Sequence, residues 1–236
     1  MNRHLNIIRH KKFLLLIFAI WLVSPAADAQ DKPKDWAQFG RYAEMNETAP
    51  KGAKAVFMGN SITDVWAKRR PEFFSENGYI GRGISGQTTS QILVRFRRDV
   101  IDLQPLSVVI LAGTNDIALN GGYISLENIA GNIASMAELA KVHGIKVIIC
   151  SVLPAYDYKW RPGLEPADKI LELNRLLRRY AEMNGCVYVD YHSVMKDERN
   201  GLPEKYSTDG VHPTDAGYEI MESIIKPAIE NTLSGK

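Results

Sequence analysis

From residue 55 onward, short apolar runs alternate with longer stretches of helical periodicity. The runs Ala55–Met58, Gly78–Arg82, Leu106–Ala112, Ile145–Leu153 and Cys186–Asp190 read as strands. Helical patterns lie between them, near Asp64–Asn77, Thr89–Leu103, Ser125–His143 and Pro166–Asn184. A last helix is predicted over Thr214–Leu233, and an amphipathic helix carrying Trp36, Phe39 and Tyr42 opens the series. Ser125 is placed to cap its helix, while Gly144 and Gly185 stand where left-handed residues close that helix and the next. The run from Ser107 to Ala112 is apolar on both faces, as a parallel strand covered by helices on each side requires. Right-handed crossovers then give an α/β protein, a three-layer α/β/α sandwich around a flavodoxin-like parallel five-stranded sheet. Ligands of such sheets bind at the carboxyl ends of the strands.

The first 29 residues follow a different pattern. A basic stretch (Arg3, Arg9, Lys11, Lys12) precedes the apolar run Phe13–Val23, then Ser24-Pro25 and the small-residue site Ala27-Asp28-Ala29. This is the three-part layout of a secretory signal peptide, with cleavage expected near Ala29. As a helix the apolar run reaches about 16 Å, roughly half a bilayer core, so it is too short for a stable membrane anchor. Residues 30–236 are then one exported domain, secreted or periplasmic, large enough to bury roughly 70% of its unfolded surface.

Export changes how the charge is read. The whole chain of 236 residues has 29 Lys+Arg against 27 Asp+Glu, a net of +2. Without the leader's four bases and one acid the balance is −1, so no basic footprint remains for nucleic acid. The 45% hydrophobic content is that of an ordinary folded domain. Two cysteines, Cys150 and Cys186, fall at the end of one predicted strand and the start of the next, an offset of roughly 13 Å that no disulfide spans. They are expected to be buried free thiols.

The segments just past the strands carry the chemistry. They are Gly59-Asn60-Ser61-Ile62-Thr63, Gly83-Ile84-Ser85-Gly86-Gln87, Gly113-Thr114-Asn115-Asp116 and, before the last helix, Asp209-Gly210-Val211-His212-Pro213. A serine becomes a nucleophile when a base takes its proton and a third group orients the base. Ser61 at a strand-to-helix turn, His212 as base and Asp209 three residues before it supply that set. A tetrahedral intermediate needs donors aimed at its oxyanion, which the Ser61 amide, the Gly86 amide and the Asn115 side chain offer. Each segment alone also reads as a plain turn or helix start; their convergence on one sheet edge favours acyl transfer. His4 and His10 leave with the leader, His143 falls at the opposite edge, and His192 lacks a close acid other than Asp190. No His, Asp or Glu set has metal-ligand spacing, and no cofactor is implied.

Gly59-Asn60-Ser61-Ile62, Gly86, Gly113-x-Asn115 and Asp209-x-x-His212 resemble, in order, the four blocks of the GDSL/SGNH hydrolases. The resemblance runs from Val56 to the C-terminus. The strings Gly83-Ile-Ser-Gly-Gln-Thr-Thr89 and Ile110-Leu-Ala-Gly-Thr-Asn-Asp116 resemble the branch related to platelet-activating-factor acetylhydrolase. It implies Ser61 as nucleophile, His212 as base, Asp209 as its partner, and Gly86 with Asn115 in the oxyanion hole. Asn60 departs from the family's Asp before the serine, and is taken here as a substrate-side residue.

The loop Tyr156-Asp-Tyr158-Lys-Trp160-Arg-Pro162 reads equally as a sugar-stacking rim, with Tyr156 and Trp160 on substrate, or as a surface loop anchored by one aromatic. Trp66 reads as core rather than acyl-pocket wall. Without a long apolar lid, a small acyl group is expected, acetyl on a carbohydrate before other esters. A lysophospholipase or platelet-activating-factor type of acylhydrolase, a non-catalytic glycan-binding protein using the same cleft, and a phosphate cradle at Gly59–Thr63 are the alternatives.

Overall fold

A computed structural model describes residues 35–235. The leader expected over residues 1–29 lies outside them. In chain order the elements are a 3₁₀ turn Phe39–Tyr42, α1 Ala43–Thr48, β1 Ala55–Gly59, α2 Ser61–Arg69, α3 Pro71–Asn77, β2 Tyr79–Gly83 and α4 Thr89–Asp99. After a second 3₁₀ turn, Ile101–Leu103, come β3 Ser107–Leu111, α5 Thr114–Ile117, α6 Leu126–Val142 and β4 Lys146–Cys150. The chain ends with α7 Pro166–Met183, β5 Val187–Val189, α8 Tyr191–Met195 and α9 Asp215–Ser234.

All strand pairs are parallel, in the order β2-β1-β3-β4-β5. Alternation along each strand divides the core. Val56, Met58, Val108 and Ile110 pack under α4, α6 and α7 with Ile92, Phe96, Ile133 and Leu177. Ala55, Phe57, Val109 and Leu111 pack under α2, α3 and α9 with Trp66, Phe74, Met221 and Ile225. Both faces of the central strands β1 and β3 are therefore buried, the physical reason these strands carry no polar alternation. Among the described residues no helix is long and apolar enough to cross a membrane.

Register brings the strand ends level: Gly59 pairs with both Gly83 and Leu111. From β1 the chain crosses to one side to form β2, then returns past β1 to form β3. The crevice between the outgoing loops of β1 and β3 is the switch point at which open parallel sheets bind ligands.

Four local expectations change. The single helix foreseen over Asp64–Asn77 is two, because Pro71 drives Arg70 out of helical geometry (φ −127°), and its first turn begins at Ser61. The opening segment is a 3₁₀ turn and a short helix, with Trp36 exposed and only Tyr42 of the three aromatics buried. The fourth apolar run outlasts its strand: Val152 and Leu153 are buried in a loop, the Val152 amide and carbonyl both satisfied by the Asn174 side chain at 2.7 and 3.0 Å. Both cysteines are free, but only Cys150 is buried; Cys186 precedes β5 and is half-buried.

Candidate active site

The turn at Ser61 is tight because two glycines let α2 settle on the strand ends. A Cβ on Gly59 would lie 2.3 Å from Thr63 Oγ1, and one on Gly83 would lie 2.2 Å from the Asp64 amide nitrogen. Asn60 is the N-cap of α2: its Oδ1 accepts from the Ile62 N–H at 3.1 Å. It is 1% exposed and does not line the cleft, so the substrate contact expected of it is replaced by a capping role. Ser61 is the first helical residue, where an amide N–H has no partner within the helix.

The segment from Ser207 to Pro213 carries the partner groups. Asp209 Oδ1 accepts from the Val211 N–H and the His212 N–H, both at 2.8 Å, and from the Ser207 hydroxyl at 3.0 Å. Its Oδ2 lies 2.6 Å from His212 Nδ1, and His212 Nε2 lies 2.8 Å from Ser61 Oγ. Burial acts to raise the Asp209 carboxyl, but the bonds from the His212 N–H, the His212 ring and the Val211 N–H prevail and bring it down to about 2. An ionised Asp209 accepts only, so Nδ1 carries the proton and Nε2 presents a lone pair to the Ser61 hydroxyl.

Across the cleft, Asn115 Nδ2 donates one hydrogen to the Gln87 carbonyl at 3.0 Å, while its Oδ1 accepts from Asn120 Nδ2 at 3.0 Å. The second Nδ2 hydrogen is left for the cleft. Gly86 has φ +80°, a backbone angle that favours glycine, and no protein atom lies where a Cβ would stand. Ser85 donates to Asp64 Oδ2 at 2.7 Å; Asp64 also pairs with Lys68 at 2.8 Å. Burial pushes the Asp116 carboxyl up to about 6, against the bonds it receives from the Thr89 N–H and hydroxyl. Asp116 therefore fixes the start of α4, and with it the end of the Gly86 loop.

An open cleft of about 380 Å³ is lined by Ser61, Gly86, Asn115, His212, Trp160 and Val65, among others. A cavity of about 440 Å³ at the opposite sheet edge, among Arg97, Asp102 and His143, has no part of this chemistry. Trp160 is 46% exposed and stacks on the buried Tyr158 at 4.9 Å, whose hydroxyl meets Thr114 Oγ1 at 2.9 Å. Lys159 Nζ donates to the Thr208 carbonyl and Arg161 Nη1 to the Leu119 carbonyl, each at 2.9 Å. These bonds pin the loop on both banks. Tyr156, expected beside Trp160 on substrate, lies outside the cleft lining under the Arg199 guanidinium at 4.8 Å. Trp66 is in the aromatic core, stacked with Phe73 and Tyr218. His192 is buried along a separate surface hollow with Asp190, whose carboxylate caps α8. Asn120, Gln87 and Asp64 have no motif of their own; only their adjacency to Asn115, Gly86 and Ser61 flags them in the sequence.

A GDSL-like lipase from Bacteroides thetaiotaomicron, known by crystal structure, is 51% identical and superposes with a TM-score of 0.80 over 83% of this chain and 98% of that one. The isoamyl acetate-hydrolyzing esterase 1 homolog of Homo sapiens is 30% identical over 176 residues, 66% of this chain and 69% of that protein. The acetylxylan esterase of Geobacillus stearothermophilus is 24% identical over 202 residues, 72% of this chain and 90% of that protein. The sequence pattern of the GDSL-like lipase/acylhydrolase family matches residues 57–220, from within β1 into α9, a span that contains Ser61, Gly86, Asn115, Asp209 and His212. The chain therefore belongs to the GDSL-like lipase/acylhydrolase family and is a carboxylic-ester hydrolase.

Proposed function

We propose that the protein is an exported serine esterase that removes acetyl groups from carbohydrate, working through Ser61, His212 and Asp209. The observation that carries this reading is the unbroken chain from Ser61 Oγ through His212 to Asp209, at 2.8 and 2.6 Å. Ser61 Oγ attacks the ester carbonyl as its proton passes to His212 Nε2. The oxyanion is met by the Ser61 N–H, the Gly86 N–H and the free Asn115 Nδ2 hydrogen. His212 then gives its proton to the departing alcohol, leaving an acyl-serine. Water, deprotonated by His212 in turn, adds to the acyl carbonyl; collapse expels Ser61 Oγ, which takes the proton back from His212, and releases the acid.

Acetyl is favoured because the cleft is open and its apolar wall near Ser61 is short, formed by Val65 and Val211. Two relatives bear names that specify acetate esters, isoamyl acetate and acetylxylan. Trp160, stacked on Tyr158 with the ring planes 30° apart and 46% exposed, supports a sugar ring as the alcohol. The basic, apolar and small-residue order of the leader supports export. Ser61→Ala should abolish hydrolysis of 4-nitrophenyl acetate while leaving the melting profile intact; unchanged turnover removes the reading. Release of acetate from acetylated xylooligosaccharide in preference to fatty acid from a lysophospholipid tests the substrate, and amino-terminal sequencing of the exported protein tests cleavage near Ala29.

A further inference from the structure

Behind the donors assigned to the oxyanion sits a side chain that takes no part in the chemistry. Arg95, on α4, is fully buried at 0% exposure. Its Nε donates to Gln87 Oε1 at 2.6 Å, its Nη2 to the Gly59 carbonyl at 3.0 Å and its Nη1 to Asp99 Oδ2 at 2.8 Å. Each acceptor has a position. Gly59 ends β1, two residues before Ser61, and its carbonyl also receives the Ile84 N–H at 3.1 Å. Gln87 follows Gly86 directly, and its main-chain carbonyl takes the hydrogen that orients Asn115. One planar guanidinium thus reaches, at one remove, the Ser61 amide, the Gly86 amide and the Asn115 amide.

A buried ion pair is costly to build, and an apolar side chain fills the space between a helix and a sheet as well or better. Packing alone therefore does not account for an arginine here. Lysine could answer Asp99, but a point charge cannot hold two further acceptors at fixed angles as the guanidinium fork does. We propose that Arg95 is a positioning residue: it clamps the nucleophile turn to the Gly86 loop and so sets the spacing of the three oxyanion donors. The proposal rests on the donor assignment made under the proposed function. Because the oxyanion forms only in the transition state, the clamp acts on turnover rather than on substrate binding.

The test uses the full chain with 4-nitrophenyl acetate, steady-state kinetics and thermal melts. Variants are Arg95→Lys, Gln87→Ala, Asn115→Ala and the pair Gln87→Ala with Asn115→Ala, with Ser61→Ala as control. Arg95→Lys keeps the charge facing Asp99 but gives up the buried bonds to Gln87 and Gly59, so it should melt cooperatively at a lower temperature while kcat falls about 10-fold or more, since small misplacement of a reacting group costs up to about 10²-fold. Gln87→Ala, which removes one arm of the clamp without stranding a charge, should lower kcat similarly with KM within twofold. Its cost combined with Asn115→Ala should be well short of the product of the separate costs, because both act on one oxyanion. A Gln87→Ala protein that melts cooperatively and keeps kcat within twofold overturns the proposal, as do costs that multiply in full; should Arg95→Lys not fold, Gln87→Ala decides alone. If Ser61→Ala turns over normally, the esterase reading itself falls. If Ser61→Ala is dead and Gln87→Ala untouched, only the clamp falls.

Discussion

Replacing Asp209 by Asn exchanges one carboxylate oxygen for an NH₂ group and reverses the proton arrangement at His212. In the native site Oδ1 accepts from the Val211 and His212 amides and from Ser207, while Oδ2 faces the ring at 2.6 Å. Three donors converge on Oδ1, so an asparagine must place its carbonyl oxygen there and its NH₂ opposite His212 Nδ1. Turning the amide over would set NH₂ against two backbone N–H groups. Nδ1 then has to accept, the ring proton moves to Nε2, and the atom 2.8 Å from Ser61 Oγ becomes a donor that cannot take the serine's proton. The same tautomer error in a serine-protease triad costs about 10⁴-fold in turnover. The Asp209 side chain is 40% exposed, so water can partly reorient the ring, and the expected fall is about 10³–10⁴-fold. The assay is kcat for 4-nitrophenyl acetate at neutral pH, with circular dichroism to confirm the fold, since the Oδ1 bonds survive. Turnover above one-tenth of wild type would refute the reasoning.

Asn120→Ala frees the Asn115 amide to rotate and should lower kcat about 10-fold with little change in KM, a fraction of the about 10²–10³ that a lost oxyanion donor costs; equal kcat would show that Asn115 orients itself. Trp160→Ala should raise KM for an acetylated oligosaccharide about 10-fold, on the scale of a lost aromatic contact, and leave 4-nitrophenyl acetate unchanged; parallel losses on both substrates would assign Trp160 to the scaffold. Asp116 titrates at about 6 in the fold against 3.8 for the ordinary group, so the folded state retains a proton that the unfolded chain gives up between about pH 4 and 6. Stability falls with rising pH across that window, by about 2–3 kcal/mol for this one group. Asp116→Asn removes the dependence, so urea titrations should place the variant more favourably against wild type at pH 7 than at pH 4.5; an equal difference at both pH values would contradict it.

The sheet was legible because burial of both strand faces leaves a sequence mark, as at Ser107–Leu111, and the alternation of five short apolar runs with helical stretches fits a layered solution. The same logic overran at Val152 and Leu153. Apolarity reports burial, whereas the strand ends where the backbone finds Asn174 instead of a neighbour. Helix ends were legible where glycine or a cap announces them, but the Arg70–Pro71 break and the start at Ser61 depend on backbone angles that periodicity does not encode. Ser61, His212 and Asp209 stood out because chemistry and position coincide. Asn120 and Arg95 did not, because a residue that acts through another residue's orientation needs no motif. Tyr156 and Trp160 share a loop and a side-chain class, and only the packing of Trp160 on Tyr158, with Tyr156 under Arg199, separates their surroundings.

Ser61 and His212 touch across 151 residues of sequence, one at the end of the first strand and the other just before the last helix. On the proposed mechanism the serine has no base until the Ser207–Pro213 loop docks, and an unassisted hydroxyl is a weak nucleophile. A growing or unfolded chain then carries no esterase activity, however complete its first strands are. On the proposed mechanism, the appearance of turnover after dilution from denaturant reports the moment at which the Ser61–His212 contact has formed, which makes esterase activity a clock for that one long-range step.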